Sequence, residues 1–70
     1  MKMEKQIVLA LKDVLESKGI TRYELAKRTD IHYQIVDNYY KNKIVRYDKE
    51  TLLRICIALD CDISDIIKIV

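Results

Sequence analysis

The chain has no proline and a single glycine, Gly19, among its 70 residues. Folds built from many short strands need turn residues at regular intervals, and flexible linkers are rich in Gly, Pro and Ser. This composition therefore disfavours both and favours helices joined by short turns. Because a chain of this length holds one hydrophobic core, we expect a single domain over residues 1–70, which excludes the large α/β scaffolds of many enzymes.

The first part of the chain shows helical spacing. Apolar residues recur every three or four positions, which predicts a first helix at about 4–18. Gly19 follows it, at the place where a helix end favours a left-handed residue. Thr21 and Glu24 then have the spacing of a capping box, so a short second helix is expected over about 22–28.

The segment 32–41 has one polar and one apolar face at the helical period of about 100° per residue. We predict a third helix with its polar face free and its apolar face packed inward. A fourth helix is expected to begin at or near Asp48, and Asp62 with Asp65 is expected to cap a short fifth helix. The expected fold class is all-α, with five helices in one compact domain. The residues predicted to pack inward from the third helix are Ile35, Val36 and Tyr39.

Several classes of site and location are disfavoured by the sequence. Two cysteines and one histidine do not supply the four ligands of a usual zinc site. The sequence has neither an apolar run long enough to span a membrane nor the pattern of a signal peptide. We therefore expect a cytoplasmic protein with reduced thiols, no metal, no cofactor and no membrane association. Cys56 is expected in the core, and Cys61 is expected to be unreactive because Asp60 and Asp62 flank it.

Residues 21–36, with the sequence TRYELAKRTDIHYQIV, resemble the pattern T-Q-x-E-L-A-x-x-x-G-[IV]-S-x-x-x-[IV] of the Cro and lambda-repressor type of regulators, the Xre family. Residues 52–65 resemble the fourth and fifth helices of that family, so the resemblance covers nearly the whole chain. It implies a five-helix, lambda-repressor-like DNA-binding domain with a helix-turn-helix motif at about 22–40.

The resemblance also implies a function, which is sequence-specific binding to double-stranded DNA by a transcriptional regulator, expected to be a repressor. The helix at about 32–41 would enter the major groove. By position in the motif, the residues expected at base edges are Tyr33, Gln34, Asp37 and Asn38. The residues expected at backbone phosphates are Arg22, His32, Lys41, Lys43 and Arg46. A solvated surface without a DNA role is the alternative for each of them.

Two positions depart from the family pattern. Asp30 stands where glycine is usual, and Asp accepts left-handed geometry better than most residues do. His32 replaces the usual Ser or Thr at the start of the third helix, so we expect a weaker N-cap there.

A homodimer is expected because a domain of this size is marginally stable alone and its C-terminal end is rich in isoleucine. A monomer in which the last residues close the core is the alternative.

Residues 1–47 hold ten Lys and Arg against six Asp and Glu, whereas residues 48–70 hold three against five. This uneven charge is expected for a chain with a DNA-binding end and a protein-binding end. The apolar residues assigned to the dimer contact are Ile57, Ile66, Ile69 and Val70.

A second function stays open at this point. It is a protein-interaction module of the same fold, such as an antitoxin-like or anti-regulator partner, and it predicts no effect of changes at Gln34 and Asn38. An enzyme is not expected, because the lone histidine has no nearby nucleophile or carboxylate set and no glycine loop is present to hold phosphate. No small-molecule ligand is expected.

Overall fold

The computed structural model describes residues 4–70; residues 1–3 of the expected domain lie outside it. Five helices make up most of the described chain, and two short strands near its ends pair with each other. The expected all-α fold with five helices is confirmed, with this small strand pair added. In chain order the elements are β1 (Ile7–Leu9), α1 (Leu11–Lys18), α2 (Arg22–Thr29), α3 (Tyr33–Tyr40), α4 (Lys49–Leu59), α5 (Ile63–Ile66) and β2 (Ile67–Ile69).

The prediction of a helix at about 4–18 was wrong over its first part, because α1 begins at Leu11. The preceding residues form β1, which runs antiparallel to β2 with Val8 opposite Lys68. Gln6 and Val70 extend the pair by exchanging two backbone hydrogen bonds of 2.8 Å. Hydrogen bonds between the strands therefore satisfy the backbone N–H and C=O groups that would otherwise have bonded within a longer helix.

The helix starts follow the caps expected from the sequence. Thr21 Oγ1 accepts from the Glu24 amide at 3.1 Å, and the Glu24 carboxylate accepts from the Thr21 amide at 3.2 Å, which is a complete capping box. Asp48 accepts from the Thr51 amide at 2.9 Å and opens α4. Asp62 precedes α5, where its amide donates to the side chain of Asp65 at 3.0 Å.

One hydrophobic cluster joins the helices and β1. Tyr39 belongs to it, and its hydroxyl accepts from the Asp48 amide at 3.2 Å, which ties α3 to the start of α4. The Tyr39 ring also lies 6.5 Å from that of Tyr47. The buried apolar residues of this cluster are Leu9, Leu11, Leu15, Leu25, Ala26, Val36, Tyr39, Leu52, Ile55, Leu59 and Ile66.

The buried side of α3 is rotated from the predicted one. Val36 and Tyr39 are buried as expected, but Ile35 is 41% exposed, so its inward assignment was wrong. Asp37, which was assigned to the free polar face, is 7% exposed. A carboxylate is rarely buried without a cationic partner, and the partners of Asp37 are described below.

The C-terminal apolar residues divide into two groups. Ile66 has 0% exposure and is part of the core, so its assignment to a dimer surface was wrong. Its burial follows from its place on α5, which packs against α1 and α4. Ile57, Ile69 and Val70 are exposed and remain available for a contact. Cys56 is half-buried against the core.

Candidate nucleic-acid interface

Two amides form a unit on the exposed side of α3. Gln34 is exposed and Asn38, one turn later, is half-buried. Gln34 Nε2 donates to Asn38 Oδ1 at 3.2 Å. This bond leaves Gln34 Oε1 and Asn38 Nδ2 with no partner among the described residues, so one acceptor and one donor are free for a ligand.

Tyr33 and His32 lie at the start of the same helix. Tyr33 is 44% exposed, which places a ring at the edge of the polar face. His32 precedes α3 and is exposed, and its side chain makes no capping hydrogen bond. The expected weak N-cap is therefore confirmed.

Asp37 joins two of the cations expected at phosphates. Arg22 Nη1, at the first position of α2, lies 2.6 Å from Asp37 Oδ1, and Lys41 Nζ, just beyond α3, lies 3.1 Å from Asp37 Oδ2. We call these three residues the Arg22–Asp37–Lys41 cluster. The hydrogen bond from the Lys41 ammonium lowers the pKa of Asp37. Burial opposes this shift, and Arg22 adds to it. The hydrogen bond to Asp37 raises the pKa of Arg22.

The cluster also contacts a fourth residue, Tyr40, which sequence reasoning missed. Arg22 Cζ lies 4.3 Å from the centroid of the Tyr40 ring, which is a cation–π distance. No sequence motif marks Tyr40 for this role, because the contact depends on how α2 crosses α3. The side chain of Arg22 is thus held by a carboxylate on one side and by an aromatic ring on another.

The last two residues expected at phosphates, Lys43 and Arg46, lie in the loop after α3. Lys43 and Arg46 are exposed, and neither makes an ion pair within the described chain. Asn42 fixes the start of this loop, because it adopts a φ of 60° and its Oδ1 accepts from the Leu9 amide at 3.1 Å. The five expected phosphate-binding residues are therefore arranged in three ways: Arg22 and Lys41 are held by Asp37, His32 precedes α3, and Lys43 and Arg46 lie on the loop without an ion pair in the described chain.

Two further features are absent from the part of the chain that the structure describes. Within residues 4–70, no group of three or more His, Cys, Asp or Glu side chains is placed to hold a metal ion. No helix in the same range is long and apolar enough to cross a membrane.

The geometry defines the class of domain. Two eight-residue helices, α2 and α3, are joined by a short turn, and the second presents polar side chains to solvent, which is a helix-turn-helix arrangement. The family model of the Cro/C1-type HTH DNA-binding domain matches residues 10–70. The chain belongs to this family, and the DNA-binding domain expected from the sequence is confirmed.

Comparison with solved structures supports the same fold. The structure is similar to the crystal structure of a Bacteroides fragilis protein provisionally described as DNA-binding, with a TM-score of 0.79 and 21% sequence identity. The similarity covers 90% of this chain and 100% of the other. At this identity the likeness shows the fold. None of the curated proteins matches the sequence.

Proposed function

We propose that this protein is a sequence-specific regulator of transcription that inserts α3 into the major groove of double-stranded DNA and acts as a repressor by occupying its site. The observation that carries this proposal is the polar face of α3, where Gln34 and Asn38 keep a free acceptor and a free donor between flanking cations. Adenine offers a donor at N6 and an acceptor at N7 in the major groove, which is the complementary pattern.

Each remaining candidate has a role in this proposal. Tyr33 lies at the edge of the reading face, where it can contact a thymine methyl group or a phosphate. The side chains at backbone phosphates are those of Arg22, His32, Lys41, Lys43 and Arg46. Asp37 is assigned a different role below, since both of its oxygens already bind cations.

A second copy of the chain is the proposed protein partner. Large apolar side chains on α4 and α5 border an open groove of about 590 Å³, and Leu53 and Ile57 on α4 are 58% and 70% exposed. Lys49, the first residue of α4, lines this groove, and so do Asp60 and Asp62, which follow the last residue of that helix. Two copies packed antiparallel about a two-fold axis would bring these opposite charges together and cover the apolar residues. To contact successive half-sites on one face of the duplex, such a dimer would need its two α3 helices about 34 Å apart.

The groove is also the observation that favours the second function, a protein-interaction module. In that case a different protein would cover Leu53 and Ile57, and the α3 face would have no role. This alternative predicts that the protein enriches no sequence from random DNA.

Selection of bound duplexes from a random pool tests the proposal directly. We expect one recurrent sequence, arranged as an inverted repeat, with an affinity that falls steeply as salt increases because several phosphates are neutralised. A pool that stays random after repeated rounds would contradict a sequence-specific regulator and would favour the interaction module.

A further inference from the structure

Asp37 is unusual for a residue on a DNA-facing helix, since it brings a negative charge to a surface that would approach phosphates. Its side chain is 10% exposed, and each oxygen is bound by a different cation. A carboxylate that is both buried and held by two cations exposes little of its surface to a cytosine amine, which is the base contact that Asp otherwise makes. Base reading is therefore a poor account of Asp37.

The two cations keep binding capacity of their own. The side chain of Arg22 is 33% exposed and that of Lys41 is 49% exposed. Each contributes one nitrogen to Asp37, whereas a guanidinium has five N–H donors and an ammonium has three. Both can therefore bind a phosphate oxygen while they remain bound to Asp37.

The cluster also fixes where these cations lie. Arg22 is on α2, whereas Asp37 and Lys41 belong to the reading helix and its C-terminal end. The Tyr40 ring covers a further side of the guanidinium. Long side chains lose considerable rotamer freedom when they bind, and a side chain held in place beforehand loses less.

We propose that Asp37 is a positioning residue for DNA recognition. It holds Arg22 and Lys41 in the geometry that binds phosphates beside the reading face, and so it fixes the register of Gln34 and Asn38 against the bases. This inference rests on the proposed function, because it concerns the same DNA interface. Its consequence is that Asp37, although anionic, increases the preference for the cognate sequence over random DNA.

The test compares Asp37→Asn with the wild type on the sequence selected by the wild type and on random duplex DNA. Random DNA is bound mainly through charge, so removal of an anion should leave that affinity equal or higher. Cognate DNA should be bound more weakly because the cations are no longer held in place. We expect the ratio of the two affinities to fall about tenfold, which is typical for loss of a charged hydrogen bond.

Asp13→Asn is the matched control. It removes the same charge from an exposed position of α1, so it should change both affinities by the same small factor. Circular dichroism shows whether each variant keeps its helices. If Asp37→Asn does not fold, Asp37→Glu keeps the charge and displaces the carboxylate by one methylene, and it should lower the affinity ratio while the salt dependence stays unchanged.

A double-mutant cycle separates positioning from direct contact. In a chain that carries Arg22→Gln and Lys41→Gln, Asp37→Asn should have no further effect on the affinity ratio, since the residues through which it acts are neutral. An equal loss in that background would mean that Asp37 contacts DNA itself and would overturn the inference. An equal increase in the affinity of Asp37→Asn for cognate and random DNA would also overturn the inference, because Asp37 would then act only by repelling phosphates.

These outcomes are distinct from failure of the proposed function. If the wild type selects no sequence, the regulator proposal fails, and the positioning role fails with it because there is no sequence preference for Asp37 to increase. If the wild type selects a sequence and Asp37→Asn keeps the wild-type affinity ratio, the regulator proposal stands and the positioning role is wrong.

Discussion

At the scale of single residues, a position with positive φ follows each of the first four helices within two residues of its end. Gly19 is the glycine among them, with a φ of 66°. The other three are Asp30, Asn42 and Asp60, with φ values of 58°, 60° and 51°. Asn and Asp tolerate the left-handed region better than other residues with a side chain, since their short polar groups bond locally. Short polar residues thus replace the glycines that this chain lacks.

The two thiols are a second residue-scale feature. Burial raises the pKa of Cys61 to about 11, and Cys56 and the charge of Asp65 act in the same direction. The low reactivity expected for Cys61 therefore has burial as its largest cause, rather than the flanking Asp60 and Asp62 from which it was inferred.

We predict that alkylation of Cys61 by iodoacetamide accelerates roughly tenfold per pH unit between pH 8 and pH 10, because the thiolate is the reactive form and stays a small fraction over this range. Mass spectrometry of the digested protein follows Cys61 separately from Cys56. A rate that levels off near pH 9 would show a thiol with an ordinary pKa and would contradict this prediction.

At the scale of elements, most helix starts were predictable because each depends on a few adjacent residues. Thr21 with Glu24 marks the start of α2, and Asp48 marks that of α4. The strands were missed for the opposite reason. The run Ile7–Leu9 fits a helical pattern with the residues that follow it, and its β-branched residues become a strand because β2, at the other end of the chain, supplies a partner.

At the candidate interface, too, relations within one helix were predictable from the sequence, whereas contacts between helices were not. Helical periodicity predicted that Gln34 and Asn38 share an exposed face, since that relation lies within one helix. The same periodicity placed Asp37 beside them and gave no sign of its partner Arg22. The distance between those two residues depends on how α2 crosses α3, which is a tertiary property that spacing within one helix does not determine.

At the scale of the whole molecule, positive and negative charge are distributed unevenly along the chain. The part with excess Lys and Arg contains α2, α3 and the following loop, and the part with excess Asp and Glu contains α4, α5 and β2. Long-range attraction to a polyanion therefore favours approach of the first part, which leaves the groove on α4 and α5 free for a second copy.

The dimer proposal predicts a change in mass at micromolar concentration. Sedimentation equilibrium of the wild type should give a dimer, and Ile57→Ser should shift it to the monomer, since this residue is 70% exposed at the proposed contact. Val45→Ser is the control, because Val45 is 96% exposed in the loop after α3 and away from the groove. A monomeric wild type, or equal dimers for both variants, would contradict the proposed contact.

The central claim is that α3 reads base edges, and Gln34→Ala tests it most directly. We predict a loss of roughly 1–3 kcal/mol in binding free energy on the selected sequence and little change on random DNA, because one side chain that contacts a base has been removed. Gln6→Ala, the same substitution at an exposed residue outside α3, should leave both affinities unchanged. Equal losses on the selected and random duplexes, or no loss on either, would contradict the reading role of α3.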